Sequence, residues 1–249
     1  MKKLLMLLAV LFICSFAENA IAYDINGELS DWGVTPGTHW TPTPNQGIFH
    51  YDEDYVGPGG FVNPGWGGQA FDMEAIYTSW DSDNLYIALV TGFPINNAAG
   101  VRGYSLGDIA IDFGVNGTYD YGIELGSHAP IYYGKNGTPG NVYATNNGDW
   151  KQTGGFLQSA PFNMDTSTAG DGSACNFWYI NDITGHNVVE MSIDRSIFGD
   201  KWNSYYKLHV TETCGNDLIE VTTTPEPMSL SLLGLGLLGV IGARIRRRK

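Results

Sequence analysis

Carboxylates are the most plentiful reactive groups in this chain. Its 249 residues hold 26 Asp+Glu against 13 Lys+Arg, a formal net charge of −13. Two groupings have the oxygen donors that calcium takes in loops: Asp52-Glu53-Asp54 and Asp81-Ser82-Asp83-Asn84. Neither has the further spaced ligands and bidentate Glu of an EF-hand. Each has an alternative, a polar hairpin turn with Asx side chains bonded to the backbone for Asp81–Asn84, and a solvated loop for Asp52–Asp54. A glycosidase needs two carboxylates facing each other across a cleft, and among so many acids the sequence nominates no pair. The histidines His39, His50, His128, His186 and His209 form no His-x-x-x-His or His-Cys cluster, so zinc and copper lack support. His209, between Leu208 and Val210, is expected on a strand surface. No residue is assigned a catalytic role, and the expectation is a protein that is not an enzyme.

Aromatic side chains are the other lead, because sugar rings stack their C–H faces on Trp and Tyr while polar neighbours take the hydroxyls. Trp66 lies in the loop Asn63-Pro64-Gly65-Trp66-Gly67-Gly68, Trp150 follows Asn146-Asn147-Gly148-Asp149, and Tyr132-Tyr133 precede Gly134-Lys135-Asn136-Gly137. These four are candidate sugar platforms, with covering a core edge as the alternative. Trp32 and Trp80 fall in strand-like elements and are expected in the core.

Short strands must position these groups. Ile76, Thr78 and Trp80 share a face, and after the Asp81–Asn84 turn Leu85 to Val90 is apolar on both sides, as in a central strand. Ile109, Ile111 and Phe113 alternate with small or polar residues, and Val115-Asn116-Gly117-Thr118 returns the chain through Tyr121, Ile123 and Leu125 as a hairpin. Val189, Met191 and Ile193 alternate again, then Tyr206, Leu208 and Val210, then Leu218 to Val221. Only Ser196–Gly199 reads as a helical turn. The pattern predicts an all-β fold, a single antiparallel, jelly-roll-like β-sandwich over residues 23–222.

The two ends read differently. Met1-Lys2-Lys3, the apolar run Leu4–Phe16 and Ala20-Ile21-Ala22 describe a signal peptide over residues 1–22, read by the secretion translocase and removed by signal peptidase. The run is too short to span a bilayer as a helix. At the other end Pro225-Glu226-Pro227 precedes an apolar run, Met228–Ala243, and then Arg244, Arg246, Arg247, Arg248 and Lys249. This is expected to form a membrane helix with its basic end cytoplasmic. Order, spacing and position resemble the PEP-CTERM sorting signal over residues 225–249. The resemblance implies recognition by exosortase, a membrane-embedded protease of Gram-negative bacteria. It also implies anchoring in the inner membrane until processing, then placement at the cell surface or outside the cell.

Between the ends, 24 acidic and six basic residues leave the domain at a formal −18, which makes nucleic acid a poor partner. Export also bears on its two cysteines. An oxidising compartment favours a Cys175–Cys214 disulfide over two buried thiols.

A second resemblance covers the domain. Tyr23-Asp24-Ile25-Asn26-Gly27-Glu28-Leu29-Ser30-Asp31-Trp32 and Trp80-Asp81-Ser82-Asp83-Asn84-Leu85-Tyr86-Ile87-Ala88 look like elements of family 9 carbohydrate-binding modules and related DOMON-like sandwiches. That likeness implies a sandwich fold. By analogy it implies a non-catalytic binder of extracellular polysaccharide, with calcium as the one cofactor to consider. A structural or adhesive coat protein is the alternative.

Overall fold

The computed structural model describes residues 23–37, 39–44, 47–94, 102–125, 138–152, 155–183 and 185–224. The expected signal peptide, Tyr132, Tyr133 and the tail carrying Pro225, Glu226, Pro227, Arg244, Arg246, Arg247 and Arg248 lie outside them. Among the described residues no helix is long and apolar enough to cross a membrane.

The strands run β1 (Phe49–Asp52), β2 (Met73–Trp80), β3 (Asn84–Thr91), β4 (Ile109–Phe113), β5 (Tyr121–Ile123), β6 (Asn141–Ala144), β7 (Ser173–Ala174), β8 (Asn176–Ile183), β9 (His186–Asp194), β10 (Tyr206–Thr211) and β11 (Leu218–Thr222). They form two antiparallel sheets, one in the order β1-β2-β3-β9-β8 and one in the order β11-β10-β4-β5-β6-β7. The chain changes sheet after β3, β7 and β9, which makes the β-sandwich expected from the alternating pattern.

Side-chain period explains the layers. Ile76, Leu85, Ile87, Leu89, Met191 and Ile193 of the first sheet face Ile109, Ile111, Ile123, Leu208, Val210 and Ile219 of the second in one buried core. Truncating one of these to Ala costs about 2–5 kcal/mol through lost transfer energy and a cavity. Thr78 shares this inner face, and its hydroxyl meets the Tyr206 hydroxyl across the sandwich at 2.6 Å.

The strand β3 is apolar on both sides because it is central and covered twice. On its outer face Tyr86, Ala88 and Val90 pack with Tyr77 and Val188 under an N-terminal segment that supplies Tyr23, Leu29, Trp32, Val34 and Trp40. Glu190, buried on that face of β9, holds the segment down. It accepts hydrogen bonds from the Asn26 amide (3.1 Å), the Gly27 amide (2.5 Å) and the Trp32 indole (2.7 Å). The sequence element Asn26–Trp32 therefore has a structural task, to close the outer layer over β3 and β9.

The second sheet has its own outer patch, in which Tyr143, Trp150 and Met164 cover Ala110. Gly122 of β5 makes room for it: a Cβ there would lie 2.6 Å from the Met164 sulfur and 2.9 Å from the Trp150 ring. Trp150 is 4% exposed, so this expected sugar platform is corrected to a core-edge residue. His209 also faces outward yet is 1% exposed, because its Nε2 meets the Pro161 carbonyl and its ring lies against Tyr119. The expected strand-surface position is corrected to a buried one. Trp32 is buried as expected, whereas Trp80 is only partly so.

The Asp81–Asn84 turn joins β2 to β3, and the Val115–Thr118 turn precedes β5, which pairs with β4 through Ile109–Ile123 and Ile111–Tyr121. The expected helical turn is a 3-10 segment, Arg195–Lys201, begun by the Asp194 carboxylate accepting from the Ser196 amide.

The expected Cys175–Cys214 disulfide is not formed, and both are free thiols. Cys175 joins β7 to β8, while Cys214 follows β10, and β4, β5 and β6 separate β7 from β10 in the sheet. Four strand spacings of about 4.8 Å far exceed the Cα separation that a disulfide tolerates, about 7 Å at most. Each thiol is instead packed against the core, and burial raises both pKa values to about 12.

Candidate functional site

β1 and β11 are edge strands of opposite sheets and lie against each other at one side of the sandwich. Their contact floors an open groove of about 490 Å³. Tyr51 and Glu53 enter it from β1 and just beyond, Glu220 and Thr222 from β11, and Asn63 and Gln158 from facing loops. It thus offers one half-exposed aromatic ring, two amides, a hydroxyl and two carboxylates.

The loop carrying Asn63 is tied to the β10–β11 turn. The Gly65 amide donates to the Asn216 carbonyl at 2.6 Å, and the Asn216 side chain donates to the Trp66 carbonyl. Gly65 is required by this close approach, since a Cβ would lie 2.7 Å from the Asn216 Cα. The result presents Trp66 on the surface at 56% exposure, braced edge-on by Phe61 at 5.3 Å. Trp66 is therefore the one sequence-nominated platform that the described structure leaves available. Tyr51 and Tyr55, also exposed, escaped sequence reasoning because nothing in their local pattern separates them from core tyrosines.

Glu220 is half-fixed. Burial alone would raise its pKa, but the His209 imidazole (2.8 Å) and the Lys207 ammonium (2.9 Å) together hold it down at about 2. The two His209 ring nitrogens face Glu220 and the Pro161 carbonyl.

Behind Glu53 the chain brings further carboxylates together. One oxygen from each of Glu53, Asp72 and Asp217 lies within 4.8 Å of the others. Asp217 accepts from the Met73 amide (2.7 Å) and the Leu218 amide (2.8 Å). Glu212, fully buried, accepts from the Asp217 amide with one oxygen while the other has no hydrogen-bond partner. Neither carboxylate oxygen of Asp72 has one, although it is 0% exposed; the Tyr55 amide pulls weakly on it from outside hydrogen-bonding geometry. All four pKa values are raised, by burial first; Asp54 and then Glu53 push Asp72 further, to about 7, Glu212 and Asp217 are raised by their acidic neighbours, and a hydrogen bond with Asp217 partly offsets the rise of Glu53. Glu74, farther along, is pushed to about 9 by burial and by Asp72 and Asp54. Among the described residues no Lys or Arg is ion-paired with this group, and Lys151, Lys201 and Lys207 pair with Asp165, Asp120 and Glu220.

The sequence-nominated cation groupings are thereby redistributed. Of Asp52, Glu53 and Asp54 only Glu53 joins the cluster. Asp52 takes the Thr41 hydroxyl and His50, and Asp54 the Trp40 indole. Asp81 is committed to its turn: it accepts from the Asp83 and Asn84 amides and the Tyr86 hydroxyl, which outweigh burial and lower its pKa. Asp83 lies in that same turn without joining the cluster. No local spacing could have flagged Asp72 or Asp217, which come from distant parts of the chain.

Gly103-Tyr104-Ser105-Leu106-Gly107 has the spelling of a nucleophile elbow but not its context. It leads into β4 rather than from a strand into a helix, Ser105 is buried, and no histidine hydrogen-bonds it among the described residues.

No curated protein and no solved structure matches the chain. Residues 223–248 match the family model of the PEP-CTERM protein-sorting motif, and with it the chain is an exosortase-sorted extracellular protein.

Proposed function

We propose that this protein is a non-catalytic cell-surface or matrix component that binds extracellular polysaccharide in the groove between β1 and β11. The observation that carries the reading is the groove's composition. Tyr51 supplies an aromatic face, while Asn63, Gln158, Glu220 and Thr222 supply hydroxyl-binding groups, with exposed Trp66 on the adjoining loop. An open groove of this kind suits a chain of sugar units rather than an enclosed small molecule. The resemblance to carbohydrate-binding modules agrees with it as analogy only. A signal peptide and a tail anchored in the membrane until exosortase processing complete the proposed route.

A second reading has one specific observation behind it. Glu53, with a raised pKa, and Glu220, with a lowered one, line the same groove, and opposed shifts are what acid and base roles require. The binding reading is preferred because Glu53 belongs to the carboxylate cluster and Glu220 is engaged by His209 and Lys207.

The test is a titration of the purified chain with extracellular polysaccharides, with reducing-end release followed in parallel. Saturable binding weakened at least ten-fold by Tyr51→Ala, with Trp66→Ala reporting on the neighbouring loop and both variants folded, supports the module. Absence of binding to every polysaccharide leaves the coat-protein alternative. Polysaccharide cleavage abolished by Glu220→Gln would establish the enzyme.

A further inference from the structure

Three carboxylates meet from separate parts of the fold: Glu53 just after β1, Asp72 just before β2 and Asp217 just before β11. Packing like charges in a protein interior is strongly unfavourable unless something offsets their repulsion and lost hydration. The described basic residues do not offset it. Protonation would remove the charge, but it leaves Asp72 with two fully buried oxygens and no hydrogen-bond partner for either. A cation answers both requirements.

We propose that Glu53, Asp72 and Asp217 bind a calcium ion. Three oxygens no more than 4.8 Å apart can all lie within about 2.8 Å of one point, so a slight closing of the cluster brings one ion to the 2.3–2.6 Å calcium–oxygen distance from all three. The donors are all carboxylate oxygens, with neither His nor Cys, which selects a hard cation over zinc or copper. Magnesium fits less well, because it gives up its waters reluctantly and Asp72 and Asp217 are fully buried. Glu212, whose second oxygen is buried and unpartnered, stands behind Asp217 and accepts from its amide.

The ion fastens three seams at once. Asp72 and Glu53 belong to the first sheet's edge, Asp217 to the turn that closes the second sheet, and Asn216 in that turn holds the Trp66 loop. Calcium therefore secures the side of the sandwich that carries the groove, whether or not the groove binds polysaccharide.

The experiment is calorimetric titration of CaCl2 into the EDTA-stripped, desalted full chain in detergent, with thermal unfolding recorded alongside. The expected result is a saturable site of about one ion per chain, and a rise in Tm of about 5–10 °C at a hundred-fold excess over Kd. Asp72→Asn and Asp217→Asn should each weaken binding at least ten-fold. In EDTA, Asp72→Asn should unfold at or above the wild-type temperature, because it removes an uncompensated buried charge; this separates a lost ligand from a lost fold. Asp171→Asn, an exposed carboxylate, should bind as the wild type does. Absence of saturable calcium binding overturns the proposal. So does binding that Asp72→Asn leaves unchanged, or that Asp171→Asn weakens equally, since calcium would then be screening a diffuse acidic surface.

Discussion

Removing the Glu190 side chain tests the account of the outer layer most directly. Glu190→Ala takes away the acceptor for two buried donors, the Gly27 amide and the Trp32 indole, and for the part-buried Asn26 amide. Each orphaned buried donor costs about 1–3 kcal/mol, so the gross loss is about 4 kcal/mol. The loss depends on pH, because burial, opposed by those same hydrogen bonds, pushes the Glu190 pKa from 4.5 up to about 7. A carboxyl whose pKa is raised on folding contributes its full stability below the unfolded value and loses it as pH rises through the folded value. At about 1.4 kcal/mol per unit, a rise from 4.5 to about 7 removes about 3 kcal/mol of the wild-type advantage between pH 4.5 and 8. Glu190→Ala is therefore expected to cost about 4 kcal/mol at pH 5 and about 1 kcal/mol at pH 8. In Tm this is about 10 °C and about 3 °C. Urea unfolding followed by Trp fluorescence at the two pH values measures both, and the remaining titrations cancel in the difference between proteins. Equal costs at the two pH values, or a larger cost at pH 8, would refute the assignment of Glu190 as a buried carboxyl closing this layer.

Three further outcomes follow from named contacts. Gly122→Val should destabilise by about 3 kcal/mol in thermal unfolding, because its side chain would enter the space held by Met164 and Trp150; a neutral result would contradict the packing of that patch. In the chain from Tyr23 onward, two thiols should react with Ellman's reagent after unfolding without reductant and almost none before, since Cys175 and Cys214 are unbonded and burial raises both pKa values. Silence in the unfolded chain would restore the disulfide. Replacing Pro225-Glu226-Pro227 with Ala in an exosortase-bearing host should leave the chain unprocessed in the membrane fraction; normal release would detach sorting from the motif.

Much of the architecture was legible because burial imposes a period. The two-sided apolar run of β3 announced a central strand, and the alternation in β4, β9 and β10 announced faces. The weaker strands had no such signal. β1 is an edge with three exposed positions in four, and β7 has only two residues, so neither carries enough buried alternation to read. Trp150 and Trp66 show the same boundary in single residues. Both sit in Gly- and Asn-rich loops, yet one covers Gly122 and the other stands in solvent, and only the packing of distant segments distinguishes them.

By itself the sequence determined the all-β class, the acidic balance and the C-terminal sorting motif, because each is written in local composition or period. The tertiary structure alone decided which acids meet, which aromatic rings stay exposed and whether the cysteines can bond. Those depend on distances between residues far apart in the chain: Asp72 and Asp217 lie on separate elements and become neighbours only when β2 and β11 pack side by side.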